Sequence, residues 1–197
     1  TAGANGYGNF VMASGTWTYT ISSSATDALD AGDSVTDTYA FSASDSTTQT
    51  VTVTISGAND APVFSDGGTA SATVVEGATT VATYAATDVD GDDSPSYSVS
   101  GTDSALFSVA SGGVLTFSTA PDYDSGTACD AGNSCVVEVI ATDGSLTDTI
   151  TVTVAITDAN DQAPTYSGGD VTPSVSEGTT AVDSFTVVDT DSGDVNA

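Results

Sequence analysis

The chain has 197 residues, room for one large domain or two of ordinary size, and carries 27 acidic side chains with no Lys, Arg or His, a formal net charge of −27. With no cation to offer a phosphate, it is excluded from nucleic-acid binding and from adsorption to an anionic membrane. The missing His and Lys also remove the base of a nucleophilic triad, a Schiff-base amine and an imidazole metal site, so the chain is read as non-catalytic.

No signal peptide opens the chain, and no run approaches the roughly 20 apolar residues that span a bilayer, so no membrane insertion is expected. Apolar residues make up 39% and sit in ordered alternating runs, unlike a disordered acidic tail. In chain order, strands are predicted at 15–21 (Gly-Thr-Trp-Thr-Tyr-Thr-Ile), 38–43, 50–55 (Thr-Val-Thr-Val-Thr-Ile), 136–140 and 149–156. Each has one apolar and one hydroxyl face, as half-buried strands of a sandwich require. Asp-Gly, Gly-Gly, Ser-Gly and Asn-Asp turns separate them, and no segment has a helical period. In a sandwich Trp17 is expected in the core. Cys129 and Cys135 share a Gly/Asn-rich loop with no further soft ligand for zinc, so they are read as a small-loop disulfide, which implies an oxidising, extracellular compartment.

An internal repeat organises the chain. Ile-Ser-Gly-Ala-Asn-Asp-Ala-Pro at 55–62 returns as Ile-Thr-Asp-Ala-Asn-Asp-Gln-Ala-Pro at 156–164. Glu76-Gly77 returns as Glu177-Gly178, and Asp88-Val-Asp90 as Asp189-Thr-Asp191, all at spacings of 101 or 102 residues. That is the length of an immunoglobulin-like sandwich. Residues 63–164 are therefore expected to form one complete domain, 1–62 the C-terminal part of a second, and 165–197 the N-terminal part of a third. Laid end to end, 165–197 followed by 1–62 makes about one more domain of that length. This fits a tandem two-domain array cut in mid-domain, a head-to-tail polymer in which one chain's end completes the next chain's beginning, or a plain truncation.

The repeated acids gather at the domain ends. Around residue 161 the chain offers Glu76, Asp122 with Asp124, the run Asp158-Ala-Asn-Asp161, and Asp189 with Asp191. Alternation puts Asp189 and Asp191, like Asp88 and Asp90, on a common face. Two carboxylates 4 Å apart repel by about 4 kcal/mol at an effective dielectric near 20. Only a cation from solution relieves that here, and an all-oxygen site suits calcium better than magnesium. The isolated acids Asp27, Asp37, Asp103 and Asp148 are read instead as turn residues.

The motif set resembles a known family. Residues 63–164 are similar to a prokaryotic cadherin-like repeat, on Val75-Glu76-Gly, Asp88-Val-Asp90, Ala105-Leu-Phe107, Pro121-Asp-Tyr-Asp124, Ile140-Ala-Thr-Asp143 and Asp158-Ala-Asn-Asp161. The 165–197 plus 1–62 arrangement resembles the VCBS repeats of large bacterial surface proteins, on Gly15-Thr-Trp-Thr-Tyr19, Leu29-Asp-Ala-Gly-Asp33, Thr36-Asp-Thr-Tyr-Ala-Phe41 and Gly57-Ala-Asn-Asp60-Ala-Pro62. The resemblance implies an all-β fold of tandem immunoglobulin-like, Greek-key sandwiches set end to end, with several Ca2+ ions at each junction. One junction would use Glu76, Asp122, Asp124, Asp158, Asn160 through its carbonyl, Asp161, Asp189 and Asp191. The other would use Asp30, Asp33, Asn59, Asp60, Asp88, Asp90 and Asp143, with Glu177 supplied from a preceding stretch of array. Asp45 parallels Asp143. Gly57 departs from the pattern by replacing the first acid of its linker, and Asp124 stands where Glu is more usual.

The implied role is a calcium-stiffened spacer or filament unit outside the cell, serving adhesion or matrix formation. Its partners are neighbouring copies of the same repeat, head to tail, with cell-surface or polysaccharide ligands beyond them. A polysaccharide-binding accessory module is the alternative, and it requires exposed aromatics among Trp17, Tyr19, Tyr84, Tyr97 and Tyr166. A glycosidase-type carboxylate pair is disfavoured because the acids fall at domain ends rather than in a cleft.

Overall fold

Strict alternation of Val and Ile with Thr, Ser and Glu makes an edge-on ribbon with one dry and one wet face, and the longest such ribbons build the core. The structure, a computed structural model, describes residues 1–90, 94–126, 128–129, 132–167, 176–178, 186–189 and 191. The rest of 165–197, including Ser192-Gly193 of its acidic turn, and the side chain of Tyr166 lie outside the described residues.

Residues 1–62 form two antiparallel hairpins. In the first, β1 (Gly8–Ala13) and β2 (Thr16–Ile21) are joined by Ser14-Gly15, both at positive φ (51° and 79°), which gives the backward twist a two-residue hairpin turn needs. The second pairs β3 (Ser34–Ser42) with β4 (Thr48–Ser56) along nine positions. Between the hairpins, residues Ser23–Thr26 make a single helical turn. Phe10 is buried between the hairpins, its ring 4.5 Å from Tyr19 and 5.8 Å from Tyr39. Trp17, opposite Met12 in the register, is 44% exposed. This corrects the expectation of a core tryptophan: the described part of the sandwich presents no second sheet over it.

Residues 63–164 form a two-sheet sandwich. Their strands are β5 (Val63–Phe64), β6 (Thr69–Val75), β7 (Thr80–Thr83), β8 (Ala86–Thr87), β9 (Ser96–Ser100), β10 (Phe107–Val109), β11 (Val114–Phe117), β12 (Ser134–Thr142) and β13 (Thr147–Thr157). One sheet runs β6-β13-β12-β9, with β6 parallel to β13, and the other runs β10-β11-β7. The chain crosses between sheets after β9 and again after β11, the Greek-key signature. Val137, Val139 and Ala141 of β12 face Ile150, Val152 and Val154 of β13 and Leu115 of β11, and all seven are fully buried. Each buried Val, Leu or Ile contributes about 1.5–3 kcal/mol. The Cys129–Cys135 disulfide is formed and lies in this core. Beyond residue 164, β14 (Thr165–Ser167) pairs with β15 (Thr186–Val188) just as β5 pairs with β8.

Three of the four acids read as turn residues tie one element to another. Asp37 is buried and accepts hydrogen bonds from the Asn5 N–H (3.0 Å), the Tyr19 hydroxyl (2.9 Å) and the Thr38 N–H (3.0 Å). Burial pushes its carboxyl up, but these donors outweigh burial and hold it below its ordinary value. Asp103 accepts from Val136 N–H of β12 (2.6 Å) and Asp148 from Phe64 N–H of β5 (2.9 Å).

Two tests follow. Leu115→Ala opens a hole where no solvent reaches and should cost about 2–5 kcal/mol in urea denaturation. Burial, then the bond to Asp37 and its charge, push the Tyr19 phenol up to about 12. Asp37→Asn should therefore bring the alkaline ultraviolet titration of Tyr19 back towards 10, while burial keeps it above that value.

Candidate metal centre

The end of β13 carries the chain into Asp158-Ala-Asn-Asp161 and Gln162, where the Ala159 and Gln162 amides are fixed by carboxylates. Glu76, just past β6 and buried, accepts from Tyr123 N–H with one oxygen (2.6 Å) and from Ala159 N–H with the other (2.8 Å). Its own N–H donates to the Thr157 carbonyl (2.9 Å), and the Gly77 N–H donates to the Pro121 carbonyl (3.0 Å). One glutamate thus gathers the strand end, the 121–124 loop and the linker. Beyond the linker, Asp191 accepts from Gln162 N–H (3.0 Å), and its own N–H donates to Asp189 (3.1 Å).

This scaffold brings carboxylates into ligand range. Oxygens of Glu76, Asp122 and Asp124 lie within 4.8 Å of one another, as do oxygens of Asp124, Asp161 and Asp191. Asp124 belongs to both groups, and Asp191 comes from the far side of the linker. The Oδ2 of Asp124 is shut off from solvent without a hydrogen-bond partner. Burial, then the charges of Glu76, Asp191, Asp158 and Asp161, push the Asp124 carboxyl above its ordinary value. Burial and then the charges of Asp189, Asp158 and Asp161 do the same at Asp191, against the opposing Gln162 amide. Asn160 and Asp161 are exposed, and Asp158 is half-buried. An uncompensated set of oxygens, one of them orphaned, fits a hard multivalent cation with flexible geometry.

The other junction is built differently. Asp60 N–H donates to Asp90 (2.8 Å), Asp90 N–H to Asp88 (3.1 Å), and the Asn59 amide to Asp143 (2.9 Å). Asp88 Oδ2 and Asp90 Oδ1 are shielded and unpaired, yet no group of three acids within 4.8 Å forms here among the described residues. Leu29 and Asp33, on either side of Asp30, instead bond the linker through their carbonyls: Gly57 N–H donates to Asp33 (3.0 Å) and Ala58 N–H to Leu29 (3.1 Å). A Cβ at Gly57 would lie 2.3 Å from the Asp30 carbonyl oxygen, so no acid can stand there without moving that loop. Asp143 is further held by Ser145 and Leu146 N–H, and these donors with Asn59 keep its carboxyl below its ordinary value. Asp45 caps the β3–β4 hairpin through the Thr47 N–H and hydroxyl, and Glu177 is exposed in a turn. Near this junction a cleft of about 870 Å³ opens between Asp27, Asp60, Thr87 and Asp88.

In both junctions the amide two residues before the proline (Pro62, Pro164) donates to the second Asp of the Asp-x-Asp pair. Gln162 is the extra residue that lengthens the repeat from 101 to 102, and counting back from the proline, rather than forward from Asn-Asp, is the signal that finds it.

No protein-family model matches the chain, and no curated protein matches it. Solved structures do. Extracellular cadherin domains 3–6 of protocadherin gamma B2 match at a TM-score of 0.59 and 22% identity, over 96% of this chain and 50% of that one. The protocadherin gammaB7 EC3-6 cis-dimer structure matches at 0.60 and 22%, over 96% and 50%. Mouse cadherin-23 EC22-24 matches at 0.52 and 19%, over 81% and 54%. The chain spans about half the length of these structures. Its fold is that of tandem cadherin-type, immunoglobulin-like sandwiches. Among the described residues no helix is long and apolar enough to cross a membrane.

The charge crowding sets a sign for pH. Asp124 and Asp191 hold protons more tightly folded than unfolded, so in chelator their contribution to stability falls as pH rises above about 4. Asp37, Asp45 and Asp143 hold protons less tightly folded, and their contribution is lost as pH falls below that value. Asp124→Asn/Asp191→Asn should raise the melting temperature in chelator at neutral pH and flatten its fall with rising pH.

Proposed function

We propose that this chain is a non-catalytic, calcium-stiffened extracellular repeat, acting as the spacer of a cell-surface adhesin or the unit of an extracellular filament. The observation that carries this reading is the double carboxylate cluster sharing Asp124, to which Asp191 reaches across the linker. The boundaries proposed are a sandwich portion at 1–62, a complete sandwich at 63–164 and a further portion beginning at 165. Ca2+ at the second junction would be held by Glu76, Asp122, Asp124, Asp158, the Asn160 carbonyl, Asp161, Asp189 and Asp191. At the first it would be held by Asp30, Asp33, Asn59, Asp60, Asp88 and Asp90, with Asp143, Asp45 and a preceding copy's Glu177 at the margins. The disulfide and the cadherin-type fold support an extracellular setting.

Asp124 and Asp161 before the linker's end and Asp191 beyond it would hold the ion together, and its charge would offset theirs and tie the two sides of the linker to one another. Binding only to the aligned folded state stabilises it by about 2.7 kcal/mol per site at 100 times the dissociation constant. Extracellular calcium modules bind at roughly 10⁻⁴–10⁻³ M, so the joints would be firm outside a cell and loose in chelator.

Small-angle scattering with thermal melting, in millimolar calcium and then in excess EGTA, tests this. The expected result is a longer maximum dimension and a higher melting temperature in calcium, with Glu76→Gln losing most of both. Identical profiles in calcium and EGTA would return the acids to turns and surface charge.

A further inference from the structure

The turn that carries Asp122 and Asp124 is held in place against its own charge. Its two acids meet Glu76 from the end of β6, and Asp124 also meets Asp161 and Asp191. Like charges at that range repel, and the repulsion pushes the turn away from the linker. Neutral bonds oppose it at the near end. The Pro121 carbonyl accepts from Gly77 N–H (3.0 Å), and Tyr123 N–H donates to Glu76 (2.6 Å). Within the turn, Gly126 N–H donates to the Tyr123 carbonyl (3.1 Å) and the Ser125 hydroxyl to the Asp122 carbonyl (2.9 Å). One of these tethers ends on Glu76, itself a member of the cluster.

The far end is held by the core. Cys135 of β12 is fully buried opposite Val154 of β13, and Cys129 is buried with it. Cys129 and Gly132 exchange backbone hydrogen bonds (2.8 and 3.0 Å). The Cys129–Cys135 bridge closes a ring that contains Asn133. The Asn133 side-chain amide donates to the Tyr123 carbonyl (3.0 Å), and its backbone carbonyl accepts from Ile156 N–H of β13 (2.8 Å). The ring thus grips the residue between Asp122 and Asp124 and is fastened to both long strands, with a covalent bond that crowded charge does not open.

We infer that the Cys129–Cys135 bridge is a positioning element of the carboxylate cluster: it keeps the Asp122–Asp124 turn in ligand range before an ion arrives, so the affinity of this junction for calcium depends on whether the bridge is closed. This rests on the calcium reading and adds a control to it. A turn ordered in advance takes its ordering cost out of the binding step. Closing the bridge removes two electrons and two protons from the thiols, and a disulfide oxidant accepts them as it becomes two thiols. The joint is therefore loose in a reduced chain and firms on oxidation.

Calorimetric titration with calcium tests this on the 197-residue chain refolded in dithiothreitol and on the same chain after oxidation by oxidised glutathione, with circular dichroism checking that each is folded. The reduced chain should bind about tenfold or more weakly, the usual loss when a group that orients metal ligands is removed. In Asp122→Asn/Asp124→Asn, whose turn no longer carries a ligand charge, the bridge should make no difference to the calcium binding that remains. If reduction unfolds the sandwich, Cys129→Ala/Cys135→Val, whose valine refills the core position, gives the same comparison. Equal affinity with and without the bridge, or an equal loss in the Asp122→Asn/Asp124→Asn background, overturns the inference and leaves the calcium reading standing. An oxidised chain that binds no calcium overturns both.

Discussion

Every carboxylate in this protein must find its counterpart among neutral donors or in the solvent, because the chain contains no basic side chain. The fold answers chiefly with backbone N–H groups. Asp37, Glu76, Asp103 and Asp148 each take amides from another element, and charge-assisted bonds of this kind are shorter and stronger than neutral ones. These acids stitch the sandwich where other proteins use ion pairs. The supply of amides runs short at the linker near residue 161, where carboxylates from four segments meet with an oxygen left over. The stitched sandwich and the crowded carboxylates are thus two outcomes of one constraint, separated by how many N–H groups the local backbone can aim inward.

The contrast between the two linkers shows how sensitive that outcome is. Both use the amide two residues before proline to hold an Asp-x-Asp pair. Near residue 60 the linker is also bonded by the Leu29 and Asp33 carbonyls and by Asn59 to Asp143, and the acids stay apart. Near residue 161 Glu76 spends both oxygens on amides of the linker and the 121–124 loop, which draws Asp122 and Asp124 into the cluster. The disulfide from Cys129 to Cys135 anchors the far end of that loop to β12.

The long strands were legible because burial on one face enforces a period of two: 149–156 sits inside Thr147–Thr157 and 136–140 inside Ser134–Thr142. The parallel pairing of β6 with β13 was not, since Thr69–Val75 carries small residues and its partner lies some eighty residues away along the chain. Trp17 misled because its burial depends on a sheet that residues 1–62 do not contain. The acid motifs were visible through repetition, which names residues but not distances. Backbone donors such as Tyr123, Ala159 and Gln162 have no side-chain signature. Gly57, seen in the sequence as a lost ligand, is required by the close approach of the Asp30 carbonyl.

The amide sutures around Gly57, Ala58 and Asn59 have a mechanical consequence. They are neutral-donor bonds that need no bound ion, whereas the linker near residue 161 holds crowded charges. A string of such units in chelator would not soften evenly. It would behave as an articulated chain of stiff links, with curvature under flow concentrated at alternate couplings and a bending period set by the two-sandwich spacing.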